Sequence, residues 1–328
     1  MNILLVRVSS LGDVVHNMPI VVDILRYVPH AQIDWVVEEG YTALVRLNPG
    51  VRNVIPFALR RWRKSLANAT TRAEMGAFRR RLREVEYDII LDTQGLLKTA
   101  LVMRLALLAP AGQRIGLANA TEGSGYEAIS RLFHTFSVPV GVRTHAVERG
   151  RVVAAAALGY ALDQPADFNL SAPLVAPRPH WLPVQPYAVF FHATARAAKQ
   201  WQVAHWITIA TDLAERGMPV LLPWGSQAEK IAAEQLAAQM PNAQVLPKLS
   251  MMDAVLLAHE AALAIGVDTG LTHIAAAFNR PTIELYIDSP RWKTEGNWSS
   301  NIINLGDEGQ APTVDAVRGA IAVLLAPL

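Results

Sequence analysis

Short β-branched runs alternate with amphipathic segments twice along this chain, once on each side of a proline-rich stretch. That alternation admits few architectures. In the first half, strand-like runs fall at 3–8, 33–38, 53–57 and 88–93, with helix-like segments at 14–27, 40–47, 72–86, 97–108 and 145–159. Strand then helix, repeated, means parallel strands joined by helical crossovers, and so a doubly wound sheet. The stretch LSAPLVAPRPHWLPVQP follows, with Pro173, Pro177, Pro179, Pro183 and Pro186 inside seventeen residues. Proline can neither donate to a strand ladder nor continue a helix, so this segment reads as an extended linker. The alternation then resumes. Strands are expected at 187–193, 219–223, 243–246, 263–267 and 282–287, and helices at 203–216, 227–240, 251–260, 270–278 and 312–326. The expected organisation is an α/β domain over 1–170, a linker over 171–186 and a second α/β domain over 187–328, whose last helix could pack back on the first. Two open sheets joined in this way would face each other across a cleft, and open α/β sheets bind ligands outside the carboxyl ends of their strands.

Several chemistries are excluded at this level. The chain contains no cysteine, so disulfides, iron–sulfur clusters and thiolate catalysis are ruled out. No apolar run approaches the ~20 residues that span a bilayer, and the first residues enter a strand pattern directly, as in a cytosolic protein. The charge is uneven. Residues 1–150 carry 19 Lys and Arg against 13 Asp and Glu, whereas 151–328 carry 11 against 15. The cationic surplus gathers in Arg60-Arg61-Trp62-Arg63-Lys64 and Arg79-Arg80-Arg81-Leu82-Arg83. Such runs are either a solvated helix face or a surface for an anionic partner.

Three motifs carry candidate chemistry, each at an expected strand end. In VRVSSLGDVVHNMP, Asp13 follows the first strand in a turn that Gly12 makes permissive. It is either a helix N-cap or a carboxylate able to take a proton from an attacking hydroxyl. In HATARAAKQW, Thr194 and Lys199 offer a hydroxyl and a cation, or simply a polar loop. In VDTGLTHIAAA, Asp268 and Thr269 end a strand and Gly270 opens a helix whose free N–H groups could hold a phosphate, with His273 on its first turn. The stretch LPWGSQAEK sets Glu229 near another helix start, where it complements the dipole or binds sugar hydroxyls. GxGxxA occurs at 123–128 but follows no strand, which argues against a dinucleotide fingerprint, and no metal-ligand spacing is readable.

Taken in order, VRVSSLGDVVHNMP, DWVVEEGY, VIPFALRRWRK, DTQGLLKTA, HAVER, FHATARAAKQW, LPWG, LPKLS and VDTGLTHIAAA resemble the lipopolysaccharide heptosyltransferases of glycosyltransferase family 9 over about residues 1–290. RRWRK and the HAT…K.W pattern favour the first heptosyltransferase branch over the second. The resemblance implies a GT-B fold, with two Rossmann-like domains. It implies inverting transfer of L-glycero-D-manno-heptose from ADP-heptose to the inner Kdo of Kdo-lipid A, with no cofactor and no metal. By the same matching, Asp13 is the catalytic base, Lys199 assists departure of the diphosphate, and Thr194, Lys199, Glu229, Leu249, Asp268, Thr269, Gly270 and His273 bind the donor. Ser10, Gly12, Arg60, Arg61, Arg63 and Lys64 match the acceptor side. The implied protein is a monomer on the cytoplasmic face of the inner membrane, with no nucleic-acid partner. The chain departs from the family pattern at Ala195, Gln202 and the YIDSP turn, 286–290. A related GT-B transferase with another nucleotide sugar, or a heptosyltransferase II-like enzyme, is the alternative.

Overall fold

The computed structural model describes residues 1–194 and 196–326. They form two units that divide between Ser171 and Ala172, so the five prolines of the linker stretch fall in the second. The first unit runs β1 Asn2–Val6, α1 Leu11–His16, α2 Met18–Tyr27, β2 Gln32–Glu38, α3 Thr42–Val45, β3 Val51–Phe57, α4 Leu59–Trp62, α5 Ala69–Arg81, β4 Tyr87–Asp92, α6 Leu97–Leu105, β5 Leu108–Leu117, β6 Phe136–Val138 and α7 Ala146–Leu158. The second runs β7 Ala188–Phe191, α8 Val203–Glu215, β8 Val220–Leu222, α9 Gln227–Ala237, β9 Ala243–Val245, α10 Met251–Glu260, β10 Leu263–Val267, α11 Gly270–Ala277, β11 Thr282–Tyr286, β12 Ile302–Gly306 and α12 Val314–Leu324.

Each unit holds one six-stranded sheet, with spatial order β3-β2-β1-β4-β5-β6 in the first and β12-β11-β10-β7-β8-β9 in the second. Counted within its own unit, each is a 3-2-1-4-5-6 sheet, and all pairings are parallel. Strand order therefore reverses between β1 and β4, and again between β7 and β10. A crevice opens at the carboxyl ends of such a pair. Helices cover both faces, so the central strands β1, β7 and β10 are buried and almost wholly apolar. Ile3, Leu4, Leu5 and Val6 of β1 and all of β10 are inaccessible.

The expected 14–27 helix is two helices. Asn17 ends α1, and α2 restarts with Pro19 in its first turn, where a missing N–H costs nothing. The sequence pattern does not mark β5, β6 or β12. These lie at or beside sheet edges, and β5 carries Pro110 and Gly112. Helix α12 buries Val317, Ala320 and Ile321 in the core of the second unit together with Leu213, Val220 and Ile283.

A buried ion pair sets the placement of α7. Arg151 of α7 reaches Asp23 of α2 through Nε and Nη2 at 2.7 and 3.1 Å, and both side chains are buried. Gly150 permits the close approach. A Cβ there would lie 2.5 Å from Cδ1 of Ile20 and 2.8 Å from Oδ1 of Asn17. This contact fixes the rotation of α7, and with it the direction of the neighbouring Arg149.

Candidate active site

In the first unit the chain leaves β1 at its switch point. Arg7 turns inward, donating through Nη1 to the Thr93 carbonyl beyond β4 and pairing through Nη2 with Asp13. The Val8 N–H donates to Oε1 of Gln94 at 3.0 Å, tying the loop to the DTQG turn. Asp92 holds that turn by accepting the Gln94 and Gly95 N–H groups at 2.9 and 3.0 Å. Ser10, not Asp13, is the N-cap of α1. Asp13 sits at the third helical position, where its Oδ2 accepts the Ser10 N–H at 2.9 Å and the Ser10 hydroxyl at 2.8 Å. Gly12 lies inside α1 rather than in a turn before it.

One carboxylate oxygen of Asp13 thus caps a helix while the other, Oδ1, faces two guanidinium groups, Arg7 and, at 3.4 Å, Arg149. Arg149 also donates to Oγ1 of Thr121 at 3.0 Å. The Asp13 side chain is 31% exposed, whereas those of Arg7 and Arg149 are 4% and 6% exposed. The carboxylate therefore meets solvent with its countercharges behind it. Burial alone would raise its pKa, but Arg7, Arg149 and the Ser10 hydrogen bonds hold it well below the usual carboxylate range. Burial and the Arg7 charge in turn push Arg149 down to about 10, against the pull of Asp13.

The basic segment splits into unequal parts. Arg60, Arg63 and Lys64 are exposed. Arg61 is gripped by Glu39 through Nε and Nη2, at 3.0 and 2.9 Å, and by Glu74 at 2.7 Å. Its charge is already engaged by these two carboxylates within the unit. Trp62 is core, packed on Phe57 and Phe78. Lys98 of α6 donates to the Ser9 hydroxyl at 2.9 Å. Its pKa is lowered by burial and by the charges of Arg60, Arg7 and Arg63, with Glu38 opposing. Arg7, Arg60, Arg63 and Lys98 thus act as one cationic field around the loop that carries Asp13.

In the second unit the selected residues follow successive strand ends: Thr194 and Lys199 after β7, Glu229 after β8, Leu249 after β9, and Asp268, Thr269 and Gly270 after β10. Trp201 anchors the β7 loop by donating Nε1–H to the Pro312 carbonyl at 2.9 Å and packing edge-on to Trp206. Ala195 lies outside the described residues. Glu229 is the capping-box partner of Ser226, its Oε2 accepting the Gly225 and Ser226 N–H groups at 2.7 and 3.0 Å. Leu249, half-buried, precedes the N-cap Ser250 of α10. Thr269 is the N-cap of α11 but makes no side-chain capping bond, so the first amides of that helix are open to an anion.

Asp268 is the hub. It pairs with Nζ of Lys199 and accepts from Oγ of Ser289 at 2.8 Å and Oγ1 of Thr294 at 3.2 Å. Nε2 of His273 lies 3.1 Å from its Oδ1. Burial would raise the Asp268 pKa, but His273 and Lys199 hold it far below the usual range. The His273 ring is not turned out toward the open amides. It is buried, with Nδ1 2.9 Å from Oε1 of Glu284 on β11. Sequence reasoning missed Arg7, Arg149, Lys98, Glu284, Ser289 and Thr294 as site residues. Four of them lie inside stretches already singled out, VRVSS, HAVER, DTQGLLKTA and YIDSP. Among the described residues, no group of three or more His, Cys, Asp or Glu side chains is placed to hold a metal ion.

The chain is 42% identical over 287 residues to lipopolysaccharide heptosyltransferase 1 of Pseudomonas aeruginosa, covering 87% of this chain and 78% of that one. It is 38% identical over 288 residues to the protein of the same name from Escherichia coli K12, covering 87% and 88%. The solved structure of E. coli heptosyltransferase WaaC with ADP superposes with a TM-score of 0.85 at 33% identity, covering 99% of this chain and all of that one. The same enzyme with ADP-2-deoxy-2-fluoro heptose gives 0.81 at 34% identity, over 98% and 99%. The expected GT-B fold class holds. The model of glycosyltransferase family 9 (heptosyltransferase) matches residues 75–320. This chain is a member of glycosyltransferase family 9, the heptosyltransferases.

Proposed function

We propose that the protein transfers L-glycero-D-manno-heptose from ADP-heptose to the inner Kdo of Kdo-lipid A, with inversion and without a metal. The observation that carries this reading is the division of labour between switch points. A carboxylate backed by buried arginines lies at β1/β4, and a lysine–aspartate pair beside open helix amides lies at β7/β10. Relatives named lipopolysaccharide heptosyltransferase 1, and a related structure holding an ADP-heptose analogue, support the choice of donor.

In the proposed step Asp13 takes the proton of the acceptor hydroxyl, whose oxygen bonds to the anomeric carbon while the carbon–oxygen bond to ADP breaks. The departing oxygen carries away the electron pair. Lys199 and the α11 amides stabilise the charge that grows on the diphosphate, the service a metal gives elsewhere. Asp13 with its pKa so depressed is a weak base. An acceptor bearing carboxylates and phosphates would compete for Arg149 and Arg7, and Asp13 would become more basic only when that acceptor is in place. Exposed Arg60, Arg63 and Lys64 suit the same anions and the headgroups of the cytoplasmic leaflet, where a monomer would bind peripherally. No described helix is long and apolar enough to cross a membrane.

The test is incubation with ADP-heptose and Kdo-lipid A, in the presence and absence of excess EDTA, with mass and anomeric configuration of the product determined. One added heptose of inverted configuration, formed in EDTA, is expected. Loss of activity in EDTA that magnesium restores would refute the metal-free step, and transfer only from another nucleotide sugar would refute the donor assignment.

A further inference from the structure

Strand β11 reads Thr-Ile-Glu-Leu-Tyr and is buried along its whole length, so Glu284 places a carboxylate inside an apolar sheet. A buried charge of this kind is costly unless it is paired and hydrogen-bonded. Glu284 is both. Its Oε2 accepts the Tyr286 hydroxyl and the Gly296 N–H, each at 2.9 Å, and its Oε1 faces Nδ1 of His273. The other ring nitrogen faces Asp268. A neutral imidazole has one N–H and one lone pair, and here the lone pair would point at a carboxylate oxygen. Only the imidazolium, a donor at both nitrogens, satisfies the two contacts together.

We propose that Glu284 is a positioning residue of the donor site: it holds His273 as a permanent imidazolium, which gives Asp268 a second counter-cation and leaves Lys199 able to turn its charge to the donor diphosphate. This rests on the reading of the β7/β10 cluster as the donor site. Among the described residues, the carboxylates that face His273 are Asp268 from the β10–α11 junction and Glu284 from β11, the same strand that supplies Tyr286. Lys199, beyond β7, acts on it through Asp268. Burial alone would lower the His273 pKa, but the two carboxylates push it up to about 10. With Glu284 in place, His273 keeps its charge across neutral pH. Without it, only Asp268 supports the proton against burial, so the His273 pKa falls toward neutrality, and as the ring discharges Asp268 claims Lys199 for itself.

The experiment is ADP binding by calorimetry between pH 6 and 9 for the wild type and Glu284→Gln, together with the ring 15N shifts of His273 in the wild type. The expected result is a nearly constant ADP Kd in the wild type, and in the variant a Kd that weakens about ten-fold as His273 deprotonates. Glu284→Asp, which restores the charge, should partly restore the flat profile, and a merely structural role would not produce this pH dependence. ADP binding that stays as pH-independent in Glu284→Gln as in the wild type would overturn the inference alone. Absence of ADP binding in the wild type would overturn the donor-site reading and the inference with it. Should the variant fail to fold, the wild-type shifts decide: an imidazolium throughout pH 6–8.5 supports the inference, and titration near pH 6.5 refutes it.

Discussion

Replacing Asp13 with asparagine separates the two duties of this carboxylate. The amide oxygen can still accept from Ser10, so the cap on α1, worth about 1 kcal/mol, survives in large part. The charge does not survive. Arg7 and Arg149, both buried, would be left facing each other without their shared anion. Removing one partner of a fully buried pair costs about 3–5 kcal/mol, and the partial exposure of Asp13 brings this toward about 2–3 kcal/mol. For a unit of this size that is a fall in melting temperature on the order of 5–10 °C. Turnover should fall about 10²–10⁴-fold, the range for loss of a general base. ADP affinity should stay near the wild-type value, because the proposed donor groups belong to the other unit.

The assay pairs thermal melts with single-turnover rates taken well below the variant's midpoint, so that unfolding does not pass for lost catalysis. pH gives a further check. The pKa of Asp13 is lower in the folded than in the unfolded chain, so its contribution is present above the unfolded value of about 3.9 and is lost as pH falls through the folded value. The stability gap between wild type and Asp13→Asn should therefore be constant from pH 5 to 8 and close only in stronger acid. For the same reason the free enzyme's kcat/KM should show no Asp13 inflection between pH 5 and 8. Turnover within a few-fold of wild type would reduce Asp13 to a helix cap, and an unchanged melting temperature would refute the arginine clamp.

Lys199→Ala should raise the donor KM about 10–100-fold, the cost of one charge-assisted contact, with the acceptor KM unchanged; an unaltered donor KM and kcat would remove Lys199 from the site. Arg60→Gln with Arg63→Gln should raise the acceptor KM and flatten its salt dependence, whereas Arg61→Gln, already engaged by Glu39 and Glu74, should not. Equal effects of all three would show that the Glu39–Glu74 grip does not persist in solution. Gly150→Ala should cost about 1–3 kcal/mol by forcing α7 from Ile20 and Asn17, and should lower kcat by displacing Arg149; a melting temperature and kcat equal to wild type would break the link between helix placement and Asp13.

What the sequence reveals and what it conceals divide along a physical line. Strand ends are legible because parallel central strands must be apolar on both faces, so Asp13, Lys199 and Asp268 stand out as polar groups just beyond β1, β7 and β10. Edge strands such as β6 and β12 are short and half-exposed, and little distinguishes them from loop. The partners of the site residues lie far off in sequence. Arg149 reaches Asp13 across 136 positions because Gly150 and the Arg151–Asp23 pair set the rotation of α7, and no local pattern encodes that. Glu284 is a different case. A glutamate within Thr-Ile-Glu-Leu-Tyr contradicts the strand around it, and a local conflict of that kind marks a functional position more often than an error of folding. The signal was present in five residues, but its meaning required the position of His273, eleven residues earlier and on a helix.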